Sequence, residues 1–307
     1  MTDHAQRVPG IATTRADMMG LVLVLARFLL ASEFMTYGVR KFLHPENIYN
    51  LIAANHLPGE LVYLVYPWQF FFGWACFLGF QTRLAAIALF GFCIIAPSIF
   101  WIDNLENLTR DYATAGGFIF LFVYGPGRYS LDAKYGRDGG DIFSNIFGAI
   151  WKRASLIDGL LVAGRALMAL PFLADAGKKI VHLGPQQELL ASVNIAPVFV
   201  YVLIVGQLIF GTMLLIGYRT TLSASVLLAW SLVLGFKIHG VAGWAGFYTE
   251  SYGSILYNWF QKNGGTLSSF YKDMEVIGAL LMIIVFGPGR ISKDVQLQGT
   301  SNAHESI

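Results

Sequence analysis

The chain has 307 residues, of which 55% are hydrophobic and 13% are charged, and its mean hydropathy is +0.56. Water-soluble domains carry about 25% charged residues, so this composition excludes an ordinary soluble enzyme, a nucleic-acid binder and a disordered chain. The 21 basic and 19 acidic residues give a net charge of +2, which is too balanced to favour an anionic polymer as partner. The composition indicates an integral membrane protein, and membrane lipid is therefore an expected partner.

Apolar stretches follow one another along the chain, and each predicts a transmembrane helix. The first stretch is too long for the core of a cleaved signal peptide, and none alternates in polarity as the strands of a closed barrel would. The predicted spans are 18–39, 61–80, 84–102, 112–127, 156–174, 198–218, 220–236 and 276–289. We therefore expect an all-α protein with eight spans in a bacterial plasma membrane.

The second half of the sequence repeats the first half. Arg27 corresponds to Arg165, 138 positions later (165 − 27). The motif Gly-Pro-Gly-Arg at 125–128 recurs at 287–290, 162 positions later (287 − 125), so the second copy has gained residues between its third and fourth spans. Because each copy has an even number of spans, both copies enter the membrane from the same side. This predicts two parallel four-helix repeats.

The repeats divide the chain into predicted segments. More basic loop residues lie on the side of the N-terminus, which favours an orientation with both termini inside the cell. The predicted segments are a polar tail (1–17), the first repeat (18–135), a cytoplasmic linker (136–155), the second repeat (156–294) and a polar tail (295–307). An insertion at 240–272 in the second repeat is rich in aromatic residues and glycine. That composition favours a segment lying along the lipid headgroups over a lid across the helices.

Arg27 and Arg165 lie within predicted spans, where an arginine costs about 2.5–3.5 kcal/mol on insertion scales. Such a side chain normally faces the helix bundle and has a partner there. Two interpretations stay open from the sequence. The guanidinium groups could bond backbone carbonyls or reach the inner headgroups, or they could contact an anion or the headgroup of a substrate.

Ionisable side chains collect near the predicted outer ends of the spans. The fourth and eighth stretches are shorter than the roughly 20 residues that cross a bilayer, so their helices should begin earlier and draw Asp111, Asp273 and Glu275 below the headgroups. Buried carboxylates need cationic partners, and Lys41 and Lys179 are the natural candidates. The predicted cluster of the first repeat is Arg27, Glu33, Lys41, His44, Gln69 and Asp111. The predicted cluster of the second repeat is Arg165, Asp175, Lys179, His182, Gln207, His239, Asp273 and Glu275.

Each cluster has two interpretations. It could join helices, or it could bind a quinone carbonyl, a proton or an anionic substrate. The sequence predicts no metal site and identifies no catalytic residue. The histidines lie at span ends or in the tails, which disfavours a bis-histidine haem at the centre of the bilayer and leaves a haem or metal site in the outer leaflet as a minor alternative.

Several of these features together resemble the DoxX family. They are the arginine in the first span, the basic residue at its end, the glycines before Arg83, and the closing octet GPGRYSLD at 125–132. The likeness covers residues 20–132 and, in weaker form, 158–294, where the octet reads GPGRISKD. Many family members carry glutamate where this chain has Gln69 and Gln207. The family's DoxD-like members are membrane subunits of thiosulfate:quinone oxidoreductase, so the resemblance implies a membrane location and a quinone-linked role.

Three hypotheses for function stay open. In the first, the chain is a membrane subunit of a quinone-linked oxidoreductase, acting on a sulfur compound such as thiosulfate, with a periplasmic or membrane redox protein as partner and a quinone as cofactor. In the second, it is a transporter or a small-molecule binding protein with a site near Arg27 and Arg165. In the third, it is a non-catalytic anchor or assembly factor that holds a periplasmic protein through 240–272.

Overall fold

The computed structural model describes residues 9–43, 45–136, 153–192, 194–235 and 264–297. Residues 1–8 and 298–307 of the predicted tails, residues 137–152 of the predicted linker and residues 240–263 of the predicted insertion lie outside the described residues. His44 and His239 also lie outside them. Residues 9–17 of the first predicted tail belong to the first helix instead.

The described residues form helices and contain no strand, which confirms the all-α class. The helices are α1 (Pro9–Leu43), α2 (Pro45–Ala54), a 3-10 turn (Gly59–Leu61), α3 (Val62–Leu78), α4 (Thr82–Phe100), α5 (Leu105–Tyr124), α6 (Leu131–Lys134), α7 (Ala154–Val181), α8 (Leu183–Ser192), α9 (Phe199–Ile216), α10 (Thr220–Gly235) and α11 (Gly264–Phe286). The fourth and eighth predicted helices, α5 and α11, do begin before their apolar stretches. Residues 264–272, predicted to be part of the insertion, form the first turns of α11.

Within the described ranges, five helices are long and apolar enough to cross a membrane: α1, α3 with its preceding turn, α4, α7 and α9. Helix α10 is apolar but has only 16 residues. Helices α5 and α11 carry charged residues in their N-terminal halves, at positions such as Arg110 and Lys272. The chain is thus an all-α membrane protein, and the number of eight spans stays a prediction.

The long helices form two lobes that share α5 and α11. The first lobe contains α1, α3 and α4 with the shared pair, and the second lobe contains α7, α9 and α10 with the same pair. The last helix of each repeat packs against the first helix of the other repeat, α5 against α7 and α11 against α1, and α5 also packs against α11. The two repeats are therefore interlocked through their last helices.

Small residues allow these helices to approach closely. A Cβ atom added to Gly116 of α5 would lie 2.5 Å from the carbonyl oxygen of Gly164 in α7. At the corresponding crossing of α11 and α1, a Cβ atom on Gly278 would lie 2.9 Å from the carbonyl oxygen of Ala26. Lipid supplies little hydrophobic drive for association between helices, so close backbone packing of this kind stabilises a membrane bundle.

The closing motif of each repeat caps the helix of the third predicted span in the same repeat, which is α4 in the first repeat and α10 in the second. The Asp132 carboxylate accepts hydrogen bonds from the backbone N–H groups of Gln81 and Thr82, both at 2.8 Å, and from the Thr82 hydroxyl at 2.6 Å. Asp294 accepts the equivalent bonds from Arg219 and Thr220. A carboxylate at this position satisfies unpaired donors of the helix N-terminus and complements the helix dipole.

Replacing Asp132 with alanine is expected to lower the free energy of unfolding by about 1–2 kcal/mol, because three bonds to a helix N-terminus are lost. Asp132 is 2% exposed, whereas Asp294 is partly exposed, so water can replace more of the lost bonds in Asp294→Ala. Denaturant titration of both variants in mixed micelles measures the difference. An equal or larger loss in Asp294→Ala would contradict this account.

Candidate functional site

The shared helices α5 and α11 present consecutive residues to different lobes. Asp111 lines a cavity in the first lobe, while Arg110 lines a cavity in the second lobe. On α11, Lys272 likewise lines the first-lobe cavity and Asp273 the second-lobe cavity. Successive residues of an α-helix point about 100° apart, so one helix between two lobes serves both.

Two ion pairs join α5 to α11, and the helix that supplies the acid in one pair supplies the base in the other. In the first lobe Lys272 Nζ donates to Asp111 Oδ1 at 2.7 Å, and in the second lobe Arg110 Nη2 lies 3.5 Å from Asp273 Oδ1. Both pairs are largely buried, with the Lys272 side chain 5% exposed and that of Asp111 14%. Each pair thus takes its base from one repeat and its acid from the other.

This exchange between repeats differs from the prediction, which places the partners of Asp111 and Asp273 on α1 and α7. In the structure Lys41 Nζ donates to Gln69 Oε1 at 2.5 Å. Lys179 bonds Asp175, one helical turn earlier on its own helix. The offset of 162 residues, which relates the motif at 125–128 to that at 287–290, also relates Arg110 to Lys272 and could have pointed to the exchange.

Three carboxyl groups meet beside the Lys272–Asp111 pair. One oxygen atom each from Glu33, Asp111 and Glu275 lies within 4.8 Å of the others. Glu275 is 1% exposed, and its Oε2 accepts a hydrogen bond from the Thr114 hydroxyl at 3.0 Å. Glu275 therefore belongs to the first lobe and not, as predicted, to the cluster of the second repeat. Glu275 lies three residues after Lys272, so the two side chains share one face of α11.

The first-lobe cavity has a volume of about 640 Å³. Its walls are apolar and aromatic, and its polar end is formed by Glu33, Lys41, Gln69, Asp111 and Lys272. Four of the predicted first-cluster residues therefore meet at one site. Arg27 does not line this cavity.

The second-lobe cavity, of about 890 Å³, has a more charged lining. Of the residues predicted for the second cluster, Asp175, Lys179, His182, Gln207 and Asp273 line it. Gln207 Nε2 donates to Asp175 Oδ2 at 2.7 Å, so Asp175 holds both Gln207 and Lys179. Arg165 does not line this cavity.

Both intramembrane arginines instead hold the closing motifs. Arg165 donates to the carbonyl oxygens of Pro288 at 2.7 Å and Ile291 at 2.6 Å, and Arg27 donates to the carbonyl oxygen of Tyr129 at 2.5 Å. Gly79, at the C-terminus of α3, has a φ of +68°, and a Cβ atom there would lie 2.1 Å from Arg27 Nη1. This geometry favours the structural interpretation of the arginines.

The comparisons with known proteins agree with the repeat. The family model DoxX matches residues 22–103 and again residues 160–240. The chain is 30% identical over 115 residues to the inner membrane protein YqjF of Escherichia coli (strain K12), an alignment that covers 36% of this chain and 88% of that protein. No solved structure matches the chain. The two matches to the family model, one in each repeat, show that the chain belongs to the DoxX family.

Proposed function

We propose that the first-lobe cavity binds a membrane quinone, and that the chain is the quinone-binding subunit of a membrane oxidoreductase. The observation that carries the proposal is the pairing of an apolar cavity with a charged end. The volume of about 640 Å³ lies within the roughly 300–1,000 Å³ that ligand cavities occupy. A quinone has the matching chemistry, since it combines an apolar tail with a ring that carries two carbonyl oxygens.

We infer that the cavity opens toward lipid between α3 and α4. Leu64 of α3 and Ile95 of α4 line the cavity and are 63% and 62% exposed. Trp68 and Ile99 line it as well and are partly exposed. A side opening with apolar rims supports a ligand that enters from the bilayer.

The polar end offers hydrogen-bond donors to a carbonyl oxygen. Lys41 Nζ lies 5.6 Å from the centre of the Phe92 ring and is held by Gln69. An ammonium group and an amide placed together can donate to a ring oxygen, while Phe92 and Trp68 supply flat apolar surface for the ring.

In this proposal the electrons pass to or from a partner redox protein, and this chain supplies the quinone site in the membrane. The family resemblance supports that division of labour, and the name of the E. coli relative supports a location in the bacterial inner membrane. A sulfur compound such as thiosulfate is the substrate that the resemblance suggests for the complex.

Filling the cavity tests the proposal. Gly91 lines the cavity, and a Cβ atom added there meets nothing within 4 Å, so Gly91→Phe should occupy the ligand's space without a backbone clash. We expect it to weaken binding of decylubiquinone by about tenfold or more, a change of about 1.4 kcal/mol. The measurement is quenching of tryptophan fluorescence in nanodiscs, where Trp68 reports on the cavity.

The matched control is Gly159→Phe, because Gly159 also has open space around its Cβ position but lies on α7 outside the cavity. It should bind the quinone as the wild-type protein does. Equal affinity in Gly91→Phe, or no saturable binding of ubiquinone or menaquinone analogues by the wild-type protein, would end the proposal.

A second candidate function is the binding or transport of a small polar molecule. The charged lining of the second-lobe cavity, which includes Lys178, Lys179 and Arg110, favours it. Uptake of labelled anions into liposomes is the discriminating measurement, and it should fall in Arg110→Ala if the second lobe is the path. The anchoring hypothesis depends on 240–272, most of which lies outside the described residues, and it stays a hypothesis.

A further inference from the structure

We propose that Glu33 and Glu275 share a single proton and form a proton-exchange site at the end of the first-lobe cavity. This inference goes beyond the proposed function, since it concerns the protein without ligand and holds for any molecule in the cavity. It starts from two buried oxygen atoms. Among the described residues, neither Glu33 Oε2 nor Glu275 Oε1 has a hydrogen-bond partner.

Unpaired carboxylate oxygens are costly in a buried position. Two carboxylates cannot bond each other, because both only accept hydrogen bonds, whereas a carboxylic acid and a carboxylate can. Glu33 and Glu275 contribute oxygens to the group that lies within 4.8 Å. A proton held between them supplies the missing donor.

The charge balance indicates one proton and not a divalent cation. Three carboxylates, those of Glu33, Asp111 and Glu275, face the ammonium groups of Lys272 and Lys41. If all five groups are charged, one negative charge remains (three against two), and a single proton neutralises it. Arg110 is left out of this balance because its guanidinium group pairs with Glu106 and Asp273. The Lys272 ammonium group, which is bound to Asp111 at 2.7 Å, already fills a cation position in the group.

The other titratable groups around the pair come from α1, α4, α5 and α11. From α1 they are Tyr37 and Lys41, from α4 Cys93, from α5 Asp111 with its neighbour Arg110, and from α11 Tyr271 and Lys272. Helix α3 contributes the neutral amide of Gln69. Besides Asp111, none of these groups is a carboxyl, so the glutamate pair and Asp111 are the acids of this site in the described part of the chain.

The position of the two glutamates gives a proton a path between the cavity and the buried site. Glu33 lines the cavity, whereas Glu275 lies behind it and is fixed by the Thr114 hydroxyl. A proton from a ligand can therefore reach Glu33 first and Glu275 next.

The repeat equivalents of these two glutamates are Pro171 and Ala113. The second lobe folds without such a pair, so stability of the fold does not require it.

Infrared spectroscopy of the ligand-free wild-type protein tests the inference. A shared proton predicts a carboxylic C=O stretching band at neutral pH that shifts in D₂O. Labelling glutamate with ¹³C at the side-chain carboxyl should lower the frequency of this band, which assigns it to glutamate without any mutation. A wild-type spectrum without a D₂O-sensitive glutamate band would overturn the inference, as would a stoichiometric metal ion found in such a sample by mass spectrometry.

Variants then assign the band to the pair. Glu275→Gln and Glu33→Gln should each abolish the band, and Asp175→Asn should retain it. Asp175 is the matched control because it lines the second-lobe cavity and is bonded by Lys179 and Gln207. A band that survives in both glutamine variants would overturn the inference. Because the ligand-free protein is measured, failure of quinone binding would leave this result standing, and the two proposals can fail separately.

Discussion

Replacing Lys272 with methionine is expected to lower the free energy of unfolding by about 3–5 kcal/mol, because it leaves the Asp111 carboxylate buried without its counter-charge. Methionine keeps much of the length and volume of the side chain, so packing is little changed. The Lys272 side chain is 5% exposed and its ammonium group lies 2.7 Å from Asp111 Oδ1. Denaturant titration in mixed micelles, followed by circular dichroism, measures the loss.

The double variant Lys272→Met/Asp111→Leu separates the charge from the packing. Removing both partners should recover much of the stability, since an apolar pair in place of a buried ion pair is often neutral or stabilising. A loss in Lys272→Met below about 1 kcal/mol, the range of exposed pairs, would show that the pair is solvated. A double variant as unstable as the single variant would show that packing, and not the orphaned charge, causes the loss.

Replacing Gly116 with alanine and replacing Gly91 with alanine are expected to change stability in opposite directions. At Gly116 the new Cβ atom would lie 2.5 Å from the carbonyl oxygen of Gly164, so α5 and α7 must move apart at a cost of about 1–3 kcal/mol. At Gly91 the Cβ atom meets nothing within 4 Å, and alanine should stabilise helix α4 by up to about 1 kcal/mol.

Both variants add one methyl group to a glycine within a long helix, so the pair controls for helix propensity. Unfolding free energies of both variants, measured side by side in the same micelles, give the comparison. Because Gly116 lies where the two repeats interlock, its variant should also loosen the contact between lobes. Equal stabilisation by both substitutions would mean that α5 and α7 are not in close contact.

The interlocked repeats explain why one duplicated sequence can build two different sites. Both lobes contain α5 from the first repeat and α11 from the second repeat. A residue of α11 such as Glu275 therefore changes the first lobe, although it belongs to the second copy. The first lobe thereby has a mainly apolar cavity with a charged end and a buried glutamate behind it, and the second lobe has a cavity with a more charged lining.

Much of the fold could be predicted from the sequence. Long apolar runs must form helices in lipid, since every backbone polar group has to bond within its own segment. The repeat offsets predicted the correspondence between Arg27 and Arg165, and both arginines do hold equivalent closing motifs. The early start of α5 at Leu105 also followed, because a short apolar run cannot span the bilayer.

The candidate site could be predicted only in part. The sequence identified Glu33, Lys41, Gln69 and Asp111 as a set, and they line one cavity. It missed Lys272 and placed Glu275 with the wrong repeat. Periodicity tells which residues share a face of one helix, but it does not tell which neighbour that face meets.

By itself, the sequence determined the all-α membrane class, the order of the long apolar helices and the duplication, because these depend on local hydrophobicity and on matching positions along one chain. Only the tertiary structure decided which charges meet. The crossing of α5 and α11, where a Cβ atom on Gly117 would lie 3.0 Å from Ala279 Cβ, turns Asp111 and Glu275 toward one lobe and Arg110 and Asp273 toward the other. That crossing results from close packing between segments far apart in the chain, and no local sequence pattern predicts it.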